Sequence, residues 1–226
     1  MVRIVKEHDE RRTELMDVAQ ELFLRSGYES VSVAAIIDAV GIAKGTFYHY
    51  FKSKEDLLDQ IVERQSQVMM ALAEPILADP GIKATEKLNR VFSVIGEYKA
   101  EHRDVMIMLV RALYTDENII LRHKIMKERS HIFIPILSQV IAEGVAEGVF
   151  DTRSPELTAQ IILHIGAGLG EQNAEILLHE SPGSEAHDSI IKTCLAYENA
   201  IARILGISEG SIEIIRKDVI DTFFRD

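Results

Sequence analysis

The stretch from Lys44 to Phe51 (Lys-Gly-Thr-Phe-Tyr-His-Tyr-Phe) concentrates groups that can bind without any catalytic apparatus. At helical spacing, Phe47, Tyr50 and Phe51 fall at i, i+3 and i+4 and are expected to bury together against Leu22, Ile36 and Val40. Lys44 and Tyr48 then share the opposite face, with Gly45 and His49 beside them and Thr46 at its edge. That face offers an ammonium, a phenol and an imidazole, which suit phosphate oxygens and base edges. A glycine inside so short a helix costs about 1 kcal/mol against alanine. Close approach of the backbone to another surface would explain it. A DNA major groove, which admits a single helix, is such a surface. Lys54, with the start of the helix after it, and Ser32 would then hold further phosphates. The same spacing also fits an ordinary helical hairpin whose lysine and tyrosine are merely solvated.

The elements that must position this face are legible around it. Apolar residues recur at steps of three and four nearly throughout the chain, strand-like alternation is rare, and an all-α fold is expected. A first helix is expected from about Asp9 to Ser26, stopped by Gly27. Ser32 caps a helix of two turns that ends at Gly41. The short turn Gly41-Ile42-Ala43 leads to the third helix, which is helix-turn-helix spacing. Ser53-Lys54-Glu55-Asp56 reads as a capping box opening a fourth helix, which Pro75 bends or stops. Longer helices are expected near 84–100, 103–114, 117–148 (bent at Pro135), 155–179 and 185–205, and a final amphipathic one at 209–224. Residues 181–184 form the clearest loop. A small head, residues 1–60, and a larger body, residues 61–226, are expected to join inside the fourth helix.

Composition bounds the function. The 226 residues are 47% hydrophobic and 27% charged, as in a globular protein able to bury a core. No apolar run approaches the roughly 20 residues of a membrane span, and the mixed charges of residues 1–10 do not resemble a signal peptide. The single cysteine, Cys194, fits a reducing compartment, so a cytoplasmic location is expected. The net charge of −11 argues against indiscriminate nucleic-acid binding. Yet Ile42 to Ser53 holds two lysines, a histidine and no acid, and phosphate contacts answer to the field within about 8–10 Å.

Other chemistries find little support. The run Gly166-Ala-Gly-Leu-Gly170 lacks the third glycine of a dinucleotide fingerprint, Glu171 standing there. The eight histidines include no HExxH and no zinc-type spacing with cysteine. Neither a cofactor nor a metal is expected, nor an enzyme. The rival classes are a helical adaptor using the same face on an acidic partner protein, and a ligand-sequestering or catalytic helical protein indifferent to Lys44 and Tyr48.

From Val31 to Leu57 the sequence closely resembles the N-terminal DNA-binding signature of TetR-type (TetR/AcrR) bacterial transcriptional regulators. The likeness is sharp over about residues 10–58. It implies an N-terminal helix-turn-helix head on a larger helical body that binds an effector and dimerises. By resemblance the DNA-contacting positions are Ser32, Ala43, Lys44, Gly45, Thr46, Tyr48, His49 and Lys54, while Phe47 and Phe51 match packing positions. Ala43 stands where the family usually has serine, which removes a hydroxyl from the start of the recognition helix.

The resemblance further implies a ligand-responsive regulator, a repressor by the family's commonest mode, that binds a palindromic double-stranded DNA operator as a homodimer and is released by a small molecule. The helices near 155–179 and 185–205 would pair with their copies. Each has an apolar stripe: Leu157, Ile161, Ile165, Leu169 and Ile176 on one, and Ile190, Cys194, Tyr197, Ile201 and Leu205 on the other. The same stripes could face the protomer's own core. Methionines and aromatics in the body suit a largely apolar effector. The expected lining is Met69, Phe92, Met106, Arg111, Tyr114, Phe133 and His164, with Arg111, His131 or His164 as orienting groups. The segment 209–224 could cover its own body or reach across to a partner.

Overall fold

The protein is seen in a computed structural model that describes the backbone of residues 2–179 and 184–223, and the side chains of 8–178 and 185–223. Every regular element among the described residues is helical: α1 (Val2–Ser26), α2 (Val33–Val40), α3 (Lys44–Tyr50), α4 (Lys54–Ala78), α5 (Ala84–Glu101), α6 (Arg103–Leu113), α7 (Ile119–Ala146), α8 (Pro155–His179), α9 (Ser184–Leu205) and α10 (Lys217–Phe223). A 3₁₀ turn, Asp116–Asn118, precedes α7. The expected loop at 181–184 falls almost wholly outside the described residues.

Two compact units are formed. The first comprises Met1–Gln67 with Asp104–Arg122, and the second Val68–Arg103 with His123–Asp226. The division within α4 falls after Gln67, and α6 lies in the first unit. Linear pattern could not have foreseen this, because it says nothing about which helix returns to which.

In the first unit, Leu15, Ala19 and Phe23 of α1 are buried, as are Ile36 of α2, Phe47 in the middle of α3, Phe51 just beyond its end, and Leu57, Leu58 and Ile61 of α4. Polar ties bind α1 to α4. Arg12 Nε donates to Gln60 at 2.8 Å, and Arg64 donates to Asp17 at 2.6 Å and to Gln20 at 3.0 Å. The α1 helix starts at Val2 and not near Asp9. Helix α4 runs three residues past Pro75, because a proline so near the end interrupts only the last turn.

In the second unit α5 and α7 run antiparallel. Lys87, 3% exposed, donates to Glu143 at 2.7 Å, and the Ala84 N–H meets the Glu147 carboxylate at 3.2 Å. Between them Leu88 and Phe92 pack with Ile134, Leu137, Val140 and Ile141. The α8–α9 hairpin closes a second cluster around Leu169, Ile190, Cys194 and Ile220.

The C-terminal segment is a correction. Only Lys217–Phe223 is helical, and residues 206–216 form an irregular strap. The strap's backbone groups are taken by neighbouring side chains instead of by its own helix. Asn89 donates to the Ser211 carbonyl (2.9 Å) and accepts from the Glu213 N–H (3.1 Å), while Glu198 accepts from the Ile214 N–H at 2.7 Å. Ile212 is fully buried. Helix α10 packs on α5 and α9, with His187 Nε2 2.7 Å from Asp221 and Arg103 donating to the Phe223 carbonyl at 2.9 Å. The segment covers its own chain.

Candidate nucleic-acid interface

The positioning of α3 begins with α2. The Ser32 hydroxyl accepts from the Ala35 N–H at 3.1 Å, the expected cap. Gly41 closes α2 at φ +73°, a left-handed conformation that glycine adopts without a Cβ penalty, and its N–H returns to the Ile37 carbonyl at 3.0 Å. One extended residue, Ala43, precedes α3 and supplies no side-chain cap, as its missing hydroxyl requires. Seven residues cannot hold a helix in water. Phe47 therefore anchors α3 at 0% exposure, and Phe51 just beyond its end accompanies it, with ring centroids 5.7 Å apart.

That anchoring turns the other face outward. Lys44, Gly45, Tyr48 and His49 are exposed, Tyr48 at 47%, and Thr46 is half-buried at the edge. The Lys44 ammonium lies 5.9 Å from the Tyr48 ring centroid, and Tyr48 rests edge-on against Phe47. A Cβ placed on Gly45 would meet no protein atom within 4 Å. Ser32 and Ala43 are also exposed, and the capped Ser32 hydroxyl keeps its own hydrogen to donate.

Two residues depart from expectation. Tyr50 is only half-buried, at the edge of the Phe47–Phe51 core, with its ring centroid 6.4 Å from that of Phe51. His8 covers it at 4.6 Å between centroids, a contact that exists because α1 reaches further back than its apolar stripe suggested. Lys54 has its ammonium engaged within the head: it donates to the Tyr28 carbonyl at 3.1 Å and sits 4.1 Å over the Tyr28 ring. Lys54 thus ties the α1–α2 turn to the start of α4. There the capping box is closed by the Asp56 N–H on the Ser53 hydroxyl (3.2 Å) and the Lys52 N–H on Asp56 (2.7 Å).

Sequence reasoning missed Tyr28. It is buried against Phe23, and burial, with the charge of Glu55 nearby, holds its phenol above the ordinary range. Among the described residues its hydroxyl has no hydrogen-bond partner, the neighbouring Asn118 amide being turned to the Ala112 carbonyl at 2.7 Å. The signal available was faint: an aromatic after Gly27, with its partner ninety residues away.

The expected effector residues are divided between the units. Met106 and Tyr114 are half-buried and Arg111 exposed in the first, while Met69, Phe92 and Phe133 are half-buried and His164 exposed in the second. None of the proposed orienting groups Arg111, His131 and His164 is buried, and His164 Nδ1 is 2.6 Å from the Gln160 carbonyl. Of the dimerisation stripes, Ile190, Cys194, Ile201 and Leu205 of α9 face the protomer's own core, as does Leu169. Leu157 (57% exposed), Ile161 (50%) and Leu195 (53%) remain uncovered on α8 and α9.

Gly206-Ile-Ser-Glu-Gly210 carries the letters of a hydrolase nucleophile elbow, a pattern the sequence was expected to lack. It joins α9 to the irregular strap, whereas an elbow joins a strand to a helix. Among the described residues no cluster of three histidine, cysteine or carboxylate side chains could hold a metal. No described helix is long and apolar enough to cross a membrane.

Comparison with known proteins places these features in context. Residues 15–61 match the family model described as bacterial regulatory proteins, tetR family. The HTH-type transcriptional repressor KstR2 of Rhodococcus jostii is 31% identical, the match covering 62% of this chain and 68% of that protein. The fatty acid metabolism regulator protein of Bacillus subtilis is 30% identical over 64% of this chain and 73% of its own length. Among solved structures, a TetR/AcrR-family transcriptional regulator from Thermobifida fusca is 25% identical, with a TM-score of 0.55 over 81% of this chain and 94% of that one. A putative TetR-family regulator from Syntrophomonas wolfei shares the fold at 20% identity, TM-score 0.63, over 86% and 96%.

Proposed function

Because this chain belongs to the TetR family and is a transcriptional regulator of that family, we propose that it binds a palindromic operator as a homodimer, represses transcription there, and is released by a small-molecule effector. The observation that carries the reading is the outward face of α3, where Lys44, Tyr48 and His49 stand exposed on a helix whose inner face is locked by Phe47. Lys44, Tyr48, His49 and Thr46 would meet base edges and phosphates in the major groove, and the free hydrogen of Ser32 would reach an adjacent phosphate. Lys54 would serve the same interface by fixing the α1–α2 turn.

Dimerisation is supported by the apolar side chains left open on the α8–α9 hairpin, Leu157, Ile161 and Leu195. Two heads about 34–36 Å apart read successive major grooves on one face of DNA. Helix α4 contributes residues to both units, so a ligand that shifts it in the body would change the separation of the heads. Coupling of about 1–3 kcal/mol, usual for allostery, would change operator affinity roughly 5–150-fold.

Selection of genomic fragments on the purified full-length chain tests the reading. Recovery of a single palindromic sequence class, with affinity falling steeply as salt rises, is the expected result. Recovery of no sequence class would refute it.

Gly45→Ala separates the groove role from mere tolerance of glycine. The added methyl has open space within the protein, and alanine favours the helix by about 1 kcal/mol, so the substituted head should melt slightly higher. Operator affinity, measured by gel shift, should nevertheless fall, because the methyl would stand between the backbone and the groove. Undiminished affinity would show that close approach at this position is not needed.

A further inference from the structure

Two lysines flank Ser53 on the approach to α4, and their surroundings are opposite. Lys54 is engaged inside the head, its ammonium 3.1 Å from the Tyr28 carbonyl and 4.1 Å over the Tyr28 ring. Lys52 is exposed, and among the described residues its ammonium has no hydrogen bond, ion pair or ring contact. The backbone accounts for the difference. Phe51 is extended (φ −135°, ψ +131°) and only 1% exposed. Successive side chains of an extended chain leave on opposite sides, so the burial of Phe51 sends Lys52 outward. The Lys52 N–H is meanwhile pinned to Asp56 Oδ2 at 2.7 Å, which fixes the root of the side chain.

The acids nearby are committed elsewhere. Asp56 has both carboxylate oxygens occupied, one by the Lys52 N–H and the other by the Gln60 amide at 3.2 Å. Glu55 is held below the usual carboxylate range by the Ser53 hydroxyl and by its own backbone N–H. The Asp56 N–H goes to the Ser53 hydroxyl and the Leu57 N–H to the Ser53 carbonyl, both at 3.2 Å. The first turn of α4 thus fills these donors from its own chain and carries two negative charges, which oppose a phosphate there. Lys52, by contrast, closes a stretch from Ile42 that contains no acid, and it follows the exposed Tyr48 and His49 directly. Phosphate backbones wall the groove beside a seated helix, and contacts to them fix its register.

We propose that Lys52, and not Lys54, supplies the cation that grips a DNA phosphate where α3 gives way to α4, while Lys54 is a positioning residue that braces the α1–α2 turn. The inference rests on the major-groove reading of α3 given under Proposed function.

The test measures affinity of the purified full-length chain for a selected operator and for a scrambled duplex, by fluorescence anisotropy between 50 and 200 mM KCl. Each phosphate contact adds about 0.9 to the slope of log affinity against log salt. Lys52→Gln should flatten that slope by about 0.9 for each head bound, or about 1.8 for a dimer. Across this range the unsubstituted dimer would then lose about 12-fold more affinity than the variant. The weakening should be similar on both duplexes, because a phosphate carries no sequence information. Tm should stay within about 2 °C, as expected of a surface change. Lys52→Arg should keep the original slope. Lys54→Met should leave the slope unchanged while lowering Tm and the amide protection of residues 27–33, because it removes an internal tie. An unchanged slope in Lys52→Gln, a loss confined to the operator, or a slope flattened by the same amount in Lys54→Met would each overturn the proposal. Lys52→Gln decides the matter even if Lys54→Met does not fold. The two duplexes keep this inference apart from the reading beneath it. An operator still discriminated from the scrambled duplex, with an unchanged slope in Lys52→Gln, sinks only the role of Lys52. Failure of the unsubstituted chain to discriminate between them sinks the major-groove reading of α3, whatever the slopes.

Discussion

Replacing Lys44 and Tyr48 together by alanine is expected to abolish specific operator binding while leaving the fold and the dimer in place. Both side chains are exposed on α3, and neither contributes to the buried core of the head. Surface changes of this kind alter stability by about 0.5 kcal/mol, so Tm should move by no more than about 2 °C. A base-edge or phosphate contact is worth about 1–3 kcal/mol. The double substitution removes two such groups from each of two heads, and even at the low end the loss is about 4 kcal/mol, close to 1,000-fold in affinity. Weak salt-sensitive binding should survive, because it depends on cations elsewhere on the head. The measurement is a gel shift against the selected operator and a scrambled duplex, with the dimer checked by sedimentation. Preserved discrimination between the two duplexes would remove α3 from the groove. An adaptor that used this face on an acidic protein would never have discriminated between them.

What could be read before the fold was known follows the range of the interactions involved. The helix-turn-helix rests on local physics: a serine that caps the helix after it, a glycine that turns left-handed at the end of α2, and aromatics at i and i+4 that must bury. All of these lie within twenty residues, so the chain announces them. The outward placement of Lys44, Tyr48 and His49 followed from the inward placement of Phe47, since one helix cannot present both to water. Tyr50 was misplaced because its cover, His8, comes from the far end of α1. Lys54 looked like a free cation because its partner, the Tyr28 carbonyl, is twenty-six residues away and is backbone, which no side-chain pattern advertises.

Longer-range pairings were beyond such reasoning. Residues 209–216 were expected to be helical, yet Asn89 and Glu198 take backbone groups there that a helix would have used. On α9 the apolar stripe was legible but its destination was not, because a protomer's core and a partner's surface ask for the same residues.

Phe47→Ala should do the reverse of the Lys44/Tyr48 substitution, although Phe47 and Tyr48 are adjacent. The Phe47 ring is wholly enclosed, tilted against Phe51 at 5.7 Å and meeting Tyr48 edge-on at 5.3 Å. Truncating a buried phenylalanine costs about 3–5 kcal/mol, and a seven-residue helix has no reserve against it because its own propagation cannot sustain it. The expected outcome is local. Amide protection across residues 33–51 should collapse, operator binding should vanish, and the α8–α9 hairpin should keep both its protection and its dimer, because its core of Ile190, Cys194 and Ile201 lies in the other unit. Hydrogen exchange resolves the two regions in one experiment. Phe47→Leu, which retains most of the buried volume, should restore most of the protection and a measurable part of the binding. Tyr50→Ala, at a half-buried position flanked by His8 and His49, should cost far less than Phe47→Ala. If Phe47→Ala leaves protection of α3 unchanged, the recognition helix is held by something other than its inner face, and the exposed face opposite loses its fixed bearing on DNA.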